Sequence, residues 1–146
     1  MWLLNLFGGR SYVPGGGPFT VAAFESNRET GSRARHERKF QDYADHPEIR
    51  IGHPTVHWFE EIRRMARRIR ADAGRIAAPL LVFQVSDDAY VSARALEAFC
   101  VNVKTCRRIF LEGARHEMLI ETDAIRDRVL AEIRTFVAER ARAGPN

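Results

Sequence analysis

The fold is decided by residues 79–121, which read PLLVFQVSDDAYVSARALEAFCVNVKTCRRIFLEGARHEMLIE. This stretch contains two short apolar runs, at 80–85 and 108–111, with a helix-like segment between them. A continuous apolar run is typical of a strand that is covered on both faces of a parallel sheet. The first run ends in a polar turn that carries carboxylates, and the second leads through a turn to His116. A carboxylate and an imidazole at neighbouring strand ends are two of the three groups of a catalytic triad.

Helical periodicity predicts the elements around these strands. A helix begins at Thr55, and its apolar residues recur on one face and are predicted to be core; they are Trp58, Ile62, Met65, Ala66 and Ile69. Residues 91–103 predict the helix between the strands, and a last helix follows from about residue 122 to residue 142. This order predicts an α/β fold with a βαβα unit and a right-handed crossover.

Composition fits one globular domain, since the chain has 146 residues and 45% of them are hydrophobic. The formal net charge is +4, and the whole surplus lies in residues 1–75. A basic half could contact the phosphates of a membrane surface, although a solvated arginine-rich face is the simpler interpretation. No nucleic-acid partner is expected, because aromatic residues are not interleaved with the arginines of residues 63–70.

The two cysteines, Cys100 and Cys106, are too few for a disulfide framework and are predicted to be reduced, partly buried thiols. Residues 1–7 are apolar, but they lack a basic leader and a small-residue cleavage site and are too short to span a bilayer. We therefore expect a cytoplasmic protein.

Two motifs carry a resemblance to a known family. Residues 78–84 and then 88–91 are similar to a "P-x-L-x-x-Q…D-x-x-V" acid turn, and residues 112–117 with Glu121 are similar to a "G-A-x-H-E-x-x-x-E" histidine turn. With both motifs in this order, the chain resembles the C-terminal half of an α/β-hydrolase. The resemblance is to the lysophospholipase L2 and monoacylglycerol lipase group of serine hydrolases, over roughly residues 24–140.

The resemblance also implies a domain organisation. Upstream residues similar to the segment that leaves the family's cap are Tyr43, Pro47, Glu48, Ile49, Arg50, Gly52, Pro54, Thr55 and Trp58. Residues 1–75 would be a cap- or lid-like helical segment. Residues 76–146 would be the C-terminal strands and helices of the hydrolase core.

Carried over to this chain, the family pattern makes Asp88 the triad acid and His116 the general base. Asp87 is the alternative candidate for the acid. Asp88 is preferred because it lies three residues before Val91, as in the family pattern. The alternative from the residues alone is that both aspartates end a strand and cap the following helix, with a loop histidine nearby. Glu117 and Glu121 are expected to accept amide N–H groups at the start of the last helix.

The family's nucleophile is absent from the sequence. These enzymes present their serine on a G-x-S-x-G elbow upstream of the cap, and no such motif occurs here. The segment around Ser11 lacks the second glycine, and Ser32 lies in an arginine-rich stretch with no strand before it. The oxyanion hole would come from the same missing part. The simplest account is the second half of a hydrolase, separated by an internal start, a split gene or a gene boundary.

A metal site is a weaker interpretation of the histidines. His53 and His57 are four residues apart and are followed by Glu60 and Glu61, but Pro54 interrupts a shared helical face. We expect neither a metal ion nor another cofactor.

Three hypotheses for function follow. The first is hydrolysis of a small lipid carboxylic ester of the lysophospholipase or monoacylglycerol lipase type, with this chain carrying the acid and the histidine. The second is a catalytically inactive truncated hydrolase, or a half-domain that needs a complementing N-terminal half or self-association. The third is a basic nucleic-acid or membrane-surface binding module. An open strand edge at residues 80–85 further predicts that the chain alone aggregates or is oligomeric.

Overall fold

The structure is a computed structural model, and it describes residues 10–143. Its main elements, in chain order, are α1 (Arg33–Asp45), α2 (Val56–Ala71), β1 (Leu80–Asp87), α3 (Ala93–Asn102), β2 (Cys106–Arg115) and α4 (Asp123–Ala143). Short 3₁₀ turns lie at Phe24–Ser26, Pro47–Ile49, Ala73–Arg75 and Met118–Ile120. The predicted order of strand, helix, strand and helix is therefore present, and its strands are longer than the apolar runs that predicted them.

Hydroxyl side chains determine where three of the helices begin. Ser32, Thr55 and Ser92 each have an extended backbone and accept a hydrogen bond from the amide three residues on. Such a bond satisfies one of the amide donors that the first helical turn leaves without an intrahelical acceptor. Ser32 is therefore a helix cap, at 3.4 Å from the Arg35 amide nitrogen.

The two strands form a parallel pair, as predicted. Leu80 lies opposite Cys106 and Val85 lies opposite Leu111. Helices cover the two faces of this pair. Phe83, Val85, Ile109 and Leu111 pack against α4, whose contacting residues are Ile125, Val129 and Ile133. Arg108 projects to the opposite face and forms an ion pair of 3.0 Å with Glu97 of α3. The α/β fold class is thereby confirmed.

A bulge at the end of β2 aligns the two strand ends. Beyond the Val85–Leu111 pair, the next pair is Asp87 with Arg115, so that β2 advances two residues more than β1. Gly113 takes up this excess with a φ of 72°, a region that favours glycine. Its amide donates to Ser86 Oγ at 2.8 Å, which joins the bulge to β1. The bulge therefore sets Arg115 opposite Asp87 and brings His116 level with Asp88, directly after the two strand ends.

The apolar stripe of α2 is not part of a core in the described residues, and that prediction is wrong. Trp58 is 52% exposed and Met65 is 56% exposed, and Ile62 and Ile69 are also exposed. Periodicity shows that a helix has an apolar face, but it does not show which element covers that face. Within residues 10–143 the sheet also has only two strands, so the outer edge of β1 has no strand partner there.

The prediction of two free thiols is also wrong. Cys100, near the end of α3, and Cys106, the first residue of β2, form a disulfide with their Cα atoms 5.4 Å apart. This separation lies within the usual range for a disulfide. The short turn between α3 and β2 brings the two residues together, and the sequence does not reveal that proximity.

No helix in the described part of the chain is both long and apolar enough to span a membrane. The division of the chain at residues 75 and 76 stays a prediction.

Candidate active site

Asp88 and His116 lie together at the carboxyl ends of the two strands. Nδ1 of His116 is 3.0 Å from Oδ1 and 3.1 Å from Oδ2 of Asp88. Asp88 follows the last residue of β1, and His116 follows the last residue of β2. Parallel strands end at the same edge of a sheet, and this is where α/β proteins collect their functional groups. An imidazole held through Nδ1 keeps Nε2 available for a reacting group.

The Asp88 carboxylate is stabilised in its charged form. Oδ1 accepts hydrogen bonds from the amides of Tyr90 and Val91, both at 2.9 Å. Burial works to raise the pKa of Asp88, but these two amides and His116 outweigh it and hold that pKa below its usual value. Asp88 therefore shapes its own turn and also contacts the histidine, while the cap of the following helix is Ser92.

Asp87 is directed away from the histidine. Its carboxylate lies 3.8 Å from Nε of Arg115, and its side chain is 76% exposed. Of the two adjacent aspartates, the structure thus brings Asp88 and not Asp87 to His116.

Tyr90 is a site residue that the sequence did not single out. Its ring lies against the imidazole of His116, with 4.8 Å between the ring centroids. Partial desolvation of its hydroxyl raises the pKa of Tyr90, although the residue as a whole is 60% exposed. The position in the acid turn, two residues after Asp88, is the only sequence signal that could have indicated this contact.

Glu121 accepts more amide groups than predicted. The side chain is fully buried, and its Oε2 accepts from the Thr122 amide at 2.9 Å, near the start of α4 as expected. Its Oε1 accepts from the amides of Gly31, at 2.8 Å, and of Arg115, at 3.0 Å. The carboxylate therefore joins three separate segments.

Glu117 has a different role from the predicted one. It forms an ion pair of 3.2 Å with Lys39 of α1, and the same ammonium group lies 2.6 Å from Glu29. Burial works to lower the pKa of Lys39, but the two carboxylates outweigh it and raise that pKa. The residue after His116 is therefore tied to α1, a contact that spacing along the sequence does not indicate.

None of the serines in residues 10–143 is hydrogen-bonded to His116. The hydroxyls of Ser32 and Ser92 cap helices, Ser86 accepts from Gly113, and Ser26 donates to the Ala23 carbonyl. The carbonyl of Ser11 accepts the Val56 amide at the start of α2. The structure thus gives these serines other contacts.

His53, one of the two histidines considered for a metal site, contacts the backbone of a preceding loop. Nδ1 of His53 lies 3.0 Å from the Gly17 carbonyl oxygen. In the part of the chain that the structure describes, no group of three or more His, Cys, Asp and Glu side chains could hold a metal ion.

Two cavities are lined by His116 or by its ring neighbour Tyr90. One has a volume of about 390 Å³, is lined by His116 itself, and is otherwise largely apolar; its other residues include Phe83, Met118, Leu119, Val129 and Ile133. The other has a volume of about 450 Å³, lies against Tyr90, and mixes aromatic with charged residues, among them Arg28, Glu29, Lys39, Phe40 and Tyr43. His116 therefore lines the apolar cavity, and its neighbour Tyr90 lines the mixed cavity.

Comparisons with known proteins identify relatives of this chain. The family described as Hydrolase_4, serine aminopeptidase, S33, matches residues 1–123. Lysophospholipase L2 of Escherichia coli strain K12 is 36% identical over 132 residues, which are 86% of this chain and 39% of the relative. A probable lysophospholipase L2 of Haemophilus influenzae is 28% identical over 136 residues, 92% of this chain and 44% of the relative.

A solved structure has the same fold. A soluble variant of monoglyceride lipase from Saccharomyces cerevisiae, in complex with a substrate analog, superposes with a TM-score of 0.64 at 15% identity. The match covers 94% of this chain and 46% of that protein. The chain thus spans less than half the length of the relatives that it matches. With the family match extending over most of its residues, the chain belongs to the serine aminopeptidase S33 family of α/β-hydrolases.

Proposed function

We propose that this chain carries the acid and the base of a Ser-Asp-His triad that hydrolyses a small lipid carboxylic ester of the lysophospholipase or monoacylglycerol lipase type. The observation that carries the proposal is the contact of 3.0 Å between His116 Nδ1 and Asp88 Oδ1 at the strand ends. A carboxylate on one imidazole nitrogen orients the ring and stabilises its positive charge when the other nitrogen takes up a proton.

The proposed reaction uses His116 twice. Nε2 first takes the proton of a serine hydroxyl as its oxygen attacks the ester carbonyl, and it then gives that proton to the departing alcohol. A water molecule repeats the sequence on the acyl-enzyme and releases the carboxylic acid. The negatively charged Asp88 stabilises the imidazolium in both halves. The serine is not on a G-x-S-x-G elbow in these 146 residues, so it is supplied from outside this sequence.

The cavities support a lipid substrate. The apolar cavity beside His116 suits an acyl chain, since Met118, Leu119 and Ile133 line it. The mixed cavity beside Tyr90 suits the alcohol portion, and Arg28 there could meet a phosphate. The relatives' names, lysophospholipase L2 and monoglyceride lipase, are consistent with an ester of this class.

The test begins with the DNA immediately upstream of the Met1 codon. An in-frame strand, G-x-S-x-G and helix pattern is expected there, and the product that includes it should hydrolyse lysophospholipid or monoacylglycerol. His116→Gln in that product should lower kcat at least about a thousandfold, because the base is removed. The matched control is His46→Gln, since His46 also pairs through Nδ1 with a carboxylate, Glu48 at 3.2 Å, but on an exposed surface. Equal loss in both variants contradicts the role of His116.

A catalytically inactive chain, or a half-domain that needs a partner, is the alternative. The observation in its favour is that no described serine is bonded to His116. A serine-reactive phosphonate probe distinguishes the cases. Labelling of the 146-residue chain alone would show that the chain contains its own reactive serine and needs no external one. Labelling only after a serine-bearing half is added identifies the partner-dependent form.

A further inference from the structure

Glu121 is the largest charged side chain in the described interior. It has no exposed surface, and its two oxygens accept the three amide bonds described above, from Gly31, Arg115 and Thr122. A buried carboxylate is costly unless its oxygens are satisfied by donors. The three amides supply those donors, and their positions therefore depend on one another through this single side chain.

The donors of Glu121 lie on both sides of the histidine turn and on the segment before α1. Arg115 directly precedes His116, whereas Gly31 lies 90 residues from Glu121 along the sequence. The histidine turn and the segment before α1 are also joined by the Glu117 amide, which donates to the Glu29 carbonyl at 2.8 Å. The Thr30 hydroxyl adds a bond of 2.7 Å to the Ile120 carbonyl. Residues 29–31 thus hold the backbone of the histidine turn before and after His116.

The imidazole itself is less enclosed than this backbone. The His116 side chain is 36% exposed, and its described contacts are the Asp88 carboxylate and the Tyr90 ring. The direction of a ring that is open to solvent depends strongly on where its own backbone lies. If the Arg115–Glu117 backbone shifts, Nδ1 of His116 therefore moves relative to Asp88. A fully packed ring would be held in place by its neighbours instead.

We propose that Glu121 is a positioning residue that holds the His116 ring against Asp88 by fixing the backbone of the histidine turn to residues 29–31. Only the description of the His116–Asp88 pair as catalytic rests on the proposed function. Residues 29–31, which belong to the predicted cap-like segment, would then directly affect the geometry of the site.

The test reads which ring nitrogen of His116 carries the proton. The 146-residue chain is labelled with ¹⁵N-histidine, and its ring signals are recorded at about pH 8.5, where ordinary imidazoles are neutral. The His116 signal is identified by its loss in His116→Gln. In the parent we expect Nδ1 to be protonated, because it donates to Asp88. In Glu121→Ala we expect loss of this single form and averaging between the two tautomers.

A conservative variant separates positioning from a general structural role. Glu121→Gln keeps the volume and one oxygen that can accept the Gly31 and Arg115 amides, and it loses only the bond from the Thr122 amide, where its NH₂ group replaces Oε2. It should therefore retain the Nδ1-protonated form. Glu132→Gln is the control for loss of a carboxylate, since Glu132 is a partly buried acid of α4 that pairs with Arg107 at 3.0 Å. It should leave the His116 signals unchanged.

A gentler variant covers the case in which Glu121→Ala does not fold. A Cβ added at Gly31 would lie 3.1 Å from Oε2 of Glu121, so Gly31→Ala displaces the carboxylate by a few tenths of an ångström without removing any group. Its control is Gly17→Ala, where a Cβ would meet nothing within 4 Å. We expect a changed His116 signal in Gly31→Ala and an unchanged one in Gly17→Ala.

The outcomes distinguish this inference from the proposed function. If folded Glu121→Ala or Gly31→Ala keeps the parent's His116 signal, Glu121 does not position the ring, and the proposed function is unaffected. If the signal responds but the serine-bearing product hydrolyses no lipid ester, the positioning stands and the proposed function is wrong. The tautomer is read without any catalysis, so the two results are independent.

Discussion

At the scale of single residues, the site depends on a contrast between two adjacent carboxylates. Asp88 has a side chain that is only 16% exposed and accepts two amide hydrogen bonds in addition to its contact with His116, whereas Asp87 lies in solvent beside Arg115. The bonds that Asp88 accepts lower its pKa against the effect of burial, so it is ionised at neutral pH. A permanent negative charge beside Nδ1 is what an orienting acid needs.

The lowered pKa of Asp88 predicts a pH-dependent contribution to stability. A carboxyl whose folded pKa lies below its unfolded value stabilises the native state above the unfolded value, and the contribution is lost as the pH falls through the folded value. Asp88→Asn should therefore lower the free energy of unfolding near neutral pH, and the gap to the parent should narrow below the usual pKa of 3.8. Urea denaturation from pH 7 to pH 3 measures this gap.

The neighbouring aspartate is the control for this prediction. Asp87→Asn removes an equal charge from an exposed position, and we expect its effect on the free energy of unfolding to be within about 0.5 kcal/mol. A gap between parent and Asp88→Asn that stays constant over the whole pH range would contradict the linkage.

At the scale of elements, the bulge in β2 determines whether the two strand ends meet. Gly113 lies in the left-handed region, and its amide donates to Ser86 of β1. Two extra residues on β2 bring Arg115 opposite Asp87, and His116 is then next to Asp88. Without the bulge, the histidine would extend beyond the carboxylate along the strand direction.

Gly113→Ala tests the bulge. An alanine in the left-handed region costs roughly 1–2 kcal/mol, so the free energy of unfolding should fall by about that amount. No heavy atom lies within 4 Å of the added Cβ, which leaves backbone strain as the cause. Gly74→Ala is the control, because a Cβ there meets only the Asn102 carbonyl at 3.8 Å and the backbone is not left-handed. Equal effects in thermal denaturation would show that the bulge does not require glycine.

The α3–β2 connection predicts sensitivity to reductant. The disulfide joins residues six positions apart, and closing so short a loop is worth about 2 kcal/mol in the chain-entropy account. Reduction should lower the free energy of unfolding of the parent by about this amount. The double variant Cys100→Ser with Cys106→Ser should not respond to reductant. A parent that is insensitive to reductant would show that the bridge adds no stability.

At the scale of the whole molecule, residues 10–143 leave both apolar surface and strand edges without cover. The apolar surface is the α2 stripe formed by Trp58, Ile62, Met65 and Ile69, and the edges are the outer edges of β1 and β2. Exposed apolar surface that is contiguous on one helix face, and an unpaired strand edge, both favour association with another chain. The matched relatives are more than twice as long as this chain.

We predict that the chain alone self-associates through the α2 stripe. Ile62→Lys with Ile69→Lys should reduce the apparent mass in size-exclusion chromatography with light scattering, because each lysine would have to be buried in the contact. Val101→Lys is the control, since Val101 is 80% exposed and lies on α3 instead of α2. A monomer peak with a cooperative melt for the parent would contradict the prediction.

The sequence by itself determined the order of strands and helices and the two polar turns. These follow from apolar runs and helical periodicity, which act within a few positions along the chain. The same motifs indicated Asp88 and His116, whose catalytic roles stay a prediction.

Only the tertiary structure decided which groups meet across long sequence separations. It brings Asp88 rather than Asp87 to His116, joins Glu121 to Gly31, and pairs Cys100 with Cys106. It also leaves the α2 stripe exposed. The physical reason is the same in each case: periodicity along the chain specifies the face that a side chain occupies, whereas its partner depends on the register of β2, the turn after α3 and the packing of distant segments.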